Sequence, residues 1–92
     1  DIDLGIFLRS SDDDLNEELN LSAELSDKVG FPVEVHVINK APVSFQMAVL
    51  RKGILLISND EDLRTDFIDN VSSRYREYAH FRNIALGVHV DD

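Results

Sequence analysis

Two aspartates separated by a single residue, Asp1 and Asp3, are the sharpest chemical feature of the sequence. They lie at the start of a segment that alternates apolar and polar residues, which is typical of a β-strand. Residues i and i+2 of a strand project from the same face, about 6.6 Å apart along the chain. Carboxylates with this spacing can hold divalent cations, which stabilise the attacking and leaving oxygens of a phosphoryl transfer. A bare Asp-x-Asp is also common at a solvated strand edge, so the pattern alone leaves both interpretations open.

A third carboxylate, Glu34, lies in a second predicted strand over residues 33–38. Three valines occupy one face of this strand, and Glu34 and His36 share the opposite face. If the two strands are neighbours, Glu34 lies one strand spacing, about 4.8 Å, from the aspartates. There it would complete a metal site or act as a general base on a hydroxyl nucleophile. The alternatives are an exposed strand acid without a chemical role and, for His36, an accessory ligand or an ordinary surface histidine.

The composition limits the class of protein. A chain of 92 residues makes one domain, and 43% hydrophobic with 29% charged residues is globular composition. The absence of cysteine excludes disulfides and thiolate metal sites. No unbroken apolar run is longer than that of Ile54–Ile57, which is too short to span a membrane, and the sequence begins without a charged-then-apolar leader. We therefore expect a cytoplasmic protein with no membrane partner.

The charge balance is strongly acidic. The sequence has 9 basic and 18 acidic residues, for a net charge of −9. A protein that binds duplex nucleic acid needs a basic surface that displaces counterions, so we expect no direct nucleic-acid binding here. An acidic protein can still bind a polyanion such as a nucleotide triphosphate when metal ions lie between the two, which makes the positions of the acids more informative than their number.

Alternating strand and helix patterns predict an α/β (α+β) domain, with a short mixed β-sheet and helices mainly on one face. Helices are predicted over residues 15–29, 43–52 and 60–84, and strands over 2–8, 33–38 and 54–57. Gly30 and Gly53 suit the helix ends, and acidic residues suit the starts. The tail, residues 87–92, either frays or adds a strand at 88–90.

Apolar residues at helical spacing predict which helix faces are buried. The three predicted sets, in chain order, are Leu15, Leu19, Leu21, Leu25 and Val29; Phe45, Val49 and Leu50; and Leu63, Phe67, Val71, Tyr75 and Ala79, widened by Ile68 and Tyr78.

Four segments in order carry a resemblance to a known family. Asp1–Ile6 is similar to an S-D-I-D-L strand, and Val33–Pro42 is similar to a V-D-V-V-D-L-N-x-A-P strand and turn. Val49–Leu56 is similar to a hydrophobic-L-R-x-G-x-L-L helix and strand, and residues 64–78 match a looser R-x-x-F…Y helix. Together they resemble the minimal nucleotidyltransferases of the polymerase-β-like superfamily, over residues 1–84.

This resemblance implies an activity and a set of site residues. It implies transfer of a nucleoside monophosphate from a nucleotide triphosphate to an acceptor hydroxyl, with Mg²⁺ as cofactor. Asp1 and Asp3 would be metal ligands, and Glu34 falls where the family has its third aspartate. Such proteins often act as antitoxin partners of small all-helical HEPN proteins, which they modify or mask, so a HEPN-type protein is an expected partner.

The sequence departs from the family pattern ahead of Asp1. The family has a Gly-Ser pair about ten residues upstream, at a helix N-terminus that holds the triphosphate. We therefore expect a single nucleotidyltransferase-like domain over residues 1–92 that lacks this motif and its helix. The missing helix would expose the apolar flank of Ile2–Leu8, which predicts a homo-oligomer.

A second departure is Glu34, which replaces an aspartate of the family pattern. The extra methylene moves the carboxylate by about 1 Å, and a displacement of that size can lower a rate about 100-fold. The alternative function is therefore a non-catalytic antitoxin, or protein-interaction module, that pairs with a HEPN-type protein.

Overall fold

The computed structural model describes residues 2–10 and 13–87 and contains, in that part, two strands and three helices. The elements are β1 (Ile2–Ile6), α1 (Asp14–Val29), β2 (Val33–Val37), α2 (Val43–Lys52) and α3 (Glu61–Ala85). The chain forms two compact units, Asp1–Ala41 and Pro42–Asp92. The predicted α+β class is confirmed, and each predicted helix is present to within one residue at either end. None of the described helices is long and apolar enough to cross a membrane.

The first unit is built on a parallel pair of strands. β1 and β2 pair in register from Ile2 opposite Val33 to Ile6 opposite Val37. The pairing continues one residue further, since the Ile38 amide donates to the Ile6 carbonyl at 2.8 Å. Parallel strands need a crossover between them, and α1 supplies it. The valines of β2 are buried, as their alternation predicted.

One face of α1 accepts hydrogen bonds from the outer edge of β2, which is the edge that does not pair with β1. The Ser26 and Ser22 hydroxyls accept from the amides of Val33 and Val35 at 2.8 and 2.9 Å. The Glu18 carboxylate accepts from the amide of Val37 at 2.9 Å. These three acceptors are four residues apart, so they lie on one face of the helix and meet every second amide of the strand. The edge of β2 is thus sealed against pairing with another strand.

This arrangement corrects the predicted buried face of α1. Leu15, Leu19 and Val29 are exposed, whereas Leu21 and Leu25 are partly buried. The apolar pattern did not predict the buried face of α1, because the amides of β2 need hydrogen-bond acceptors and leucine side chains supply none. The helix therefore turns a polar face towards β2.

Helix α1 begins and ends as the sequence predicts. The Asp13 carboxylate accepts from the Asn16 amide at 3.3 Å and from its side-chain nitrogen at 2.7 Å. Gly30 follows the last helical residue with φ of 78°, in the left-handed region that favours glycine. A short crossover with both ends fixed positions β2 beside β1.

The second unit is a pair of packed helices, α2 and α3. Val71 is fully buried, and the rest of the predicted α3 face, Leu63, Phe67, Tyr75 and Ala79, is partly buried, which confirms that face. Tyr78 is exposed, contrary to the prediction.

In α2 the predicted inward residue Phe45 is exposed, while the neighbouring Gln46 is buried. The Gln46 side-chain oxygen accepts from Arg74 at 2.6 Å, and Arg74 also donates to Asn70 at 2.7 Å. A buried amide needs such a partner, and Arg74 on α3 supplies it. The polar pair explains why the buried position shifts by one residue from the apolar pattern.

The predicted strand over Ile54–Ile57 is wrong. These four residues form no strand, and all four side chains are exposed. The described part of the sheet therefore has two parallel strands rather than a mixed set. An apolar run becomes a strand only when a neighbouring strand satisfies its backbone groups, and among the described residues no strand pairs with this run. The predicted tail strand at residues 88–90 lies outside the described residues.

Candidate functional site: a carboxylate and imidazole cluster on the sheet

The strand register brings two of the predicted site residues together. Asp3 on β1 lies directly opposite Glu34 on β2. Opposite residues of paired strands project from the same face, so both carboxylates leave the sheet on the side away from the buried valines. Both side chains are 70% exposed, which leaves them open to a ligand from solvent.

His36 lies beside this pair, on the same face and two residues along β2. Its Nε2 atom is 3.7 Å from Asp3 Oδ1 and 3.7 Å from Glu34 Oε1. One ligand atom from each of the three residues lies within 4.8 Å of the others. The imidazole is less exposed than the two carboxylates, at 33%. The cluster therefore consists of two exposed carboxylates and one imidazole ring that is more buried than they are.

Asp1, the remaining predicted ligand, lies outside the described residues, so its place beside Asp3 stays a prediction.

The negative charge of the cluster favours binding of a cation. In the described part of the chain, the ion-pair contacts of Asp3 and Glu34 are to His36, and neither pairs with lysine or arginine. Two carboxylates with no lysine or arginine paired to them repel one another, and a divalent ion relieves that repulsion. Carboxylate oxygens and imidazole nitrogen are both ordinary metal ligands. The donor set therefore fits a divalent cation.

Local structure explains why the cluster forms. The buried side chains of Val35 and Val37 anchor β2 on its other face, which fixes the outward direction of Glu34 and His36. Gly5 lies opposite His36 in the register and has no side chain to compete for the space above the sheet.

Asn39, part of the N-x-A-P motif, joins the ends of the two strands. Its side-chain oxygen accepts from the Leu8 amide at 2.8 Å, and its nitrogen donates to the Leu8 carbonyl at 2.6 Å. This two-way contact replaces a further step of the strand pairing, beyond the end of β1 at Ile6. We assign Asn39 a structural role in holding the register that brings Asp3 and Glu34 together.

Two arginines in the motifs that resemble the family make side-chain contacts within the second unit. The Arg51 guanidinium lies over the Tyr75 ring, 5.0 Å from its centroid. Arg64 donates to Glu61 at 2.6 Å, and this bond, with a second from the Ser58 hydroxyl, lowers the pKa of the Glu61 carboxyl. The same contact raises the pKa of Arg64. Arg51 thus links α2 to α3, and Arg64 stabilises the first turn of its own helix.

Comparison with known proteins decides the family. A family model described as polymerase beta, nucleotidyltransferase matches residues 1–62, about two thirds of the chain. The chain belongs to the polymerase-β-type nucleotidyltransferase family. No curated protein and no solved structure shows significant similarity to it.

Membership gives this nucleotidyltransferase domain a substrate class and a general chemistry. The family implies a nucleotide triphosphate substrate and divalent metal ions. The matched residues include β1, α1 and β2, and therefore the whole Asp3, Glu34 and His36 cluster. The family match and the cluster thus coincide in one part of the chain.

Sequence reasoning missed one part of this nucleotidyltransferase domain, the contact of Glu18, Ser22 and Ser26 with the edge of β2. A signal was present, because acceptor side chains recur every fourth residue on one face of α1. The leucines between them gave a competing pattern that was easier to recognise.

Proposed function

We propose that this chain is the metal-dependent catalytic domain of a nucleotidyltransferase, which transfers a nucleoside monophosphate from a nucleotide triphosphate to an acceptor hydroxyl. The observation that carries the proposal is the register of β1 and β2, which sets Asp3 opposite Glu34 within a family-matched segment. Asp3 and Glu34 are proposed as metal ligands, and Asp1 is proposed as a third ligand from its spacing. Mg²⁺ is the proposed ion that accompanies the triphosphate.

The proposed reaction needs a general base and a cation that neutralises the charge of the phosphates. The acceptor oxygen forms a bond to the α-phosphorus while the bond to the leaving pyrophosphate breaks. Glu34 is proposed to take the proton that the acceptor hydroxyl loses, since an exposed carboxylate beside the substrate can act as a general base. When bound, a divalent ion neutralises charge on the phosphate oxygens. Asp3 orients the triphosphate by holding that ion against the sheet.

The test is calorimetric titration of the chain with ATP, GTP, CTP and UTP, with and without Mg²⁺. We expect binding that requires Mg²⁺ and that falls at least about tenfold in Asp3→Asn, because loss of a ligand weakens the ion that joins protein and phosphate. Asp66→Asn is the matched control, since Asp66 is an exposed acid on α3 and its substitution makes the same change in charge. Equal nucleotide affinity in Asp3→Asn and the unsubstituted chain would remove the site.

A second candidate function is a non-catalytic antitoxin or protein-interaction module that pairs with a HEPN-type protein. The observation that favours it is the exposed apolar set near the end of α3, formed by Tyr78, Phe81, Ile84 and Leu86. The exposed run Ile54–Ile57 likewise favours a homo-oligomer. In the same titration, this second function predicts no Mg²⁺-dependent nucleotide binding by the unsubstituted chain.

A further inference from the structure

We infer that His36 is a metal ligand, and that the Asp3, Glu34 and His36 cluster binds a transition-metal ion such as Zn²⁺ or Mn²⁺ more tightly than Mg²⁺. The inference deepens the proposed function and rests on it. It concerns the ion that the three side chains prefer without a nucleotide, whereas the proposed function concerns the Mg²⁺ that the two carboxylates hold together with the triphosphate. Nothing in the Asp-x-Asp pattern or the family match assigns this role to a histidine.

The position of the ring is the first observation. Nε2 is equally far, 3.7 Å, from a carboxylate oxygen of Asp3 and from one of Glu34. A tetrahedral ion with bonds of about 2.1 Å holds its ligand atoms about 3.4 Å apart. The three ligand atoms all lie within 4.8 Å of one another, and the two carboxylates are 70% exposed, so rotation of their side chains can bring the oxygens closer together. The imidazole nitrogen therefore lies at a distance from both carboxylates that suits a ligand of a shared ion.

The number of ligands is the second observation. Asp3, Glu34 and His36 provide three protein ligand atoms within 4.8 Å of one another. Catalytic zinc sites commonly have three protein ligands and leave a fourth position for water or substrate. An ion held this way keeps a position for an oxygen of the triphosphate.

The chemistry of the nitrogen ligand decides the kind of ion. Mg²⁺ prefers oxygen ligands in a near-ideal octahedron, whereas imidazole suits Zn²⁺ and other first-row transition ions. Affinity at a mixed nitrogen and oxygen site is expected to be higher for Zn²⁺ than for Mn²⁺. Replacing an oxygen ligand with His36 therefore moves preference away from Mg²⁺.

The test is calorimetric titration of the chain with ZnCl₂, MnCl₂ and MgCl₂, compared with His36→Gln. We expect affinity for Zn²⁺ and Mn²⁺ to fall at least about tenfold in His36→Gln, with little change for Mg²⁺. His80→Gln is the matched control, because His80 lies on α3 and contacts Phe81 instead. His36→Asp makes the cluster all-carboxylate, and we expect it to raise affinity for Mg²⁺ relative to Zn²⁺.

A spectroscopic readout accompanies the titration. We expect the imidazole resonances of His36 to shift on addition of one equivalent of Zn²⁺ and those of His80 to stay in place. Unchanged Zn²⁺ affinity in His36→Gln, or an imidazole of His36 that does not respond to Zn²⁺, would overturn the inference while leaving Mg²⁺-dependent nucleotide binding intact. Failure of the proposed function gives the opposite pattern, in which Zn²⁺ binds through His36 but no nucleotide binds. Circular dichroism of both His36 variants checks that the fold is retained.

Discussion

Combined replacement of Asp3 with Asn and Glu34 with Gln is expected to lower nucleotidyl transfer at least about 100-fold. The two side chains lie opposite one another on paired strands and provide two of the three potential ligands in the cluster. Removing both charges leaves the described side chains of the cluster without an anionic ligand. The readout is the rate of pyrophosphate release from each of the four ribonucleoside triphosphates in the presence of Mg²⁺, with and without Mn²⁺ or Zn²⁺.

The control for this experiment is the double variant Asp66→Asn and Glu77→Gln, which makes the same change in charge at exposed positions of α3. It is expected to retain the rate of the unsubstituted chain. A site variant that releases pyrophosphate as fast as this control would contradict the assignment of Asp3 and Glu34. An unsubstituted chain that releases none would support the non-catalytic alternative.

Removal of the two serine hydroxyls that bond β2, in Ser22→Ala with Ser26→Ala, is expected to lower the free energy of unfolding by about 2–6 kcal/mol. Each hydroxyl accepts from a backbone amide of a buried valine, Val35 or Val33. A buried amide left without a partner costs about 1–3 kcal/mol. Small domains are stable by only about 5–15 kcal/mol, so the double variant loses a large part of its stability.

Urea denaturation followed by circular dichroism measures this loss, with Ser73→Ala as the control because Ser73 is exposed on α3. The control is expected to lie within about 0.5 kcal/mol of the unsubstituted chain. A double serine variant as stable as the control would show that α1 does not seal the edge of β2 in solution. Exposure of that edge should also promote aggregation, which light scattering at the same concentrations would detect.

Much of the fold follows from local pattern. The alternation of β1 and β2 placed the valines inward and Glu34 and His36 outward, and the caps at Asp13 and Gly30 set the limits of α1. These features depend on backbone geometry within a few residues. They are therefore visible in a sequence without knowledge of the tertiary structure.

Two of the features that were predicted wrongly depend on hydrogen bonds between separate elements. The inward face of α1 is set by the β2 amides that do not bond to β1, and the buried position of α2 is set by the bond from Arg74 to Gln46. Ile54–Ile57 has the composition of a strand but forms none. For α1 and α2 the hydrogen-bond partners on another element decided the outcome, and apolar periodicity does not report where those partners lie.

For the candidate site, the sequence predicted the strand faces of the residues but not their exact separation. Spacing put Asp3 and Glu34 on one face of each strand, while the exact register that sets them opposite one another came from the structure. The equal distance from His36 to both carboxylates could not be predicted from the sequence, because it depends on side-chain direction as well as on register.

The location of the bound ion tests the central claim most directly. Amide spectra of the isotopically labelled chain, recorded with substoichiometric Mn²⁺ and ATP, report which residues lie near the paramagnetic ion. We expect the amide resonances of Asp3, Glu34 and their neighbours on β1 and β2 to broaden first. Preferential broadening at the acidic start of α1 or α3, with the resonances of Asp3 and Glu34 unaffected, would contradict the account.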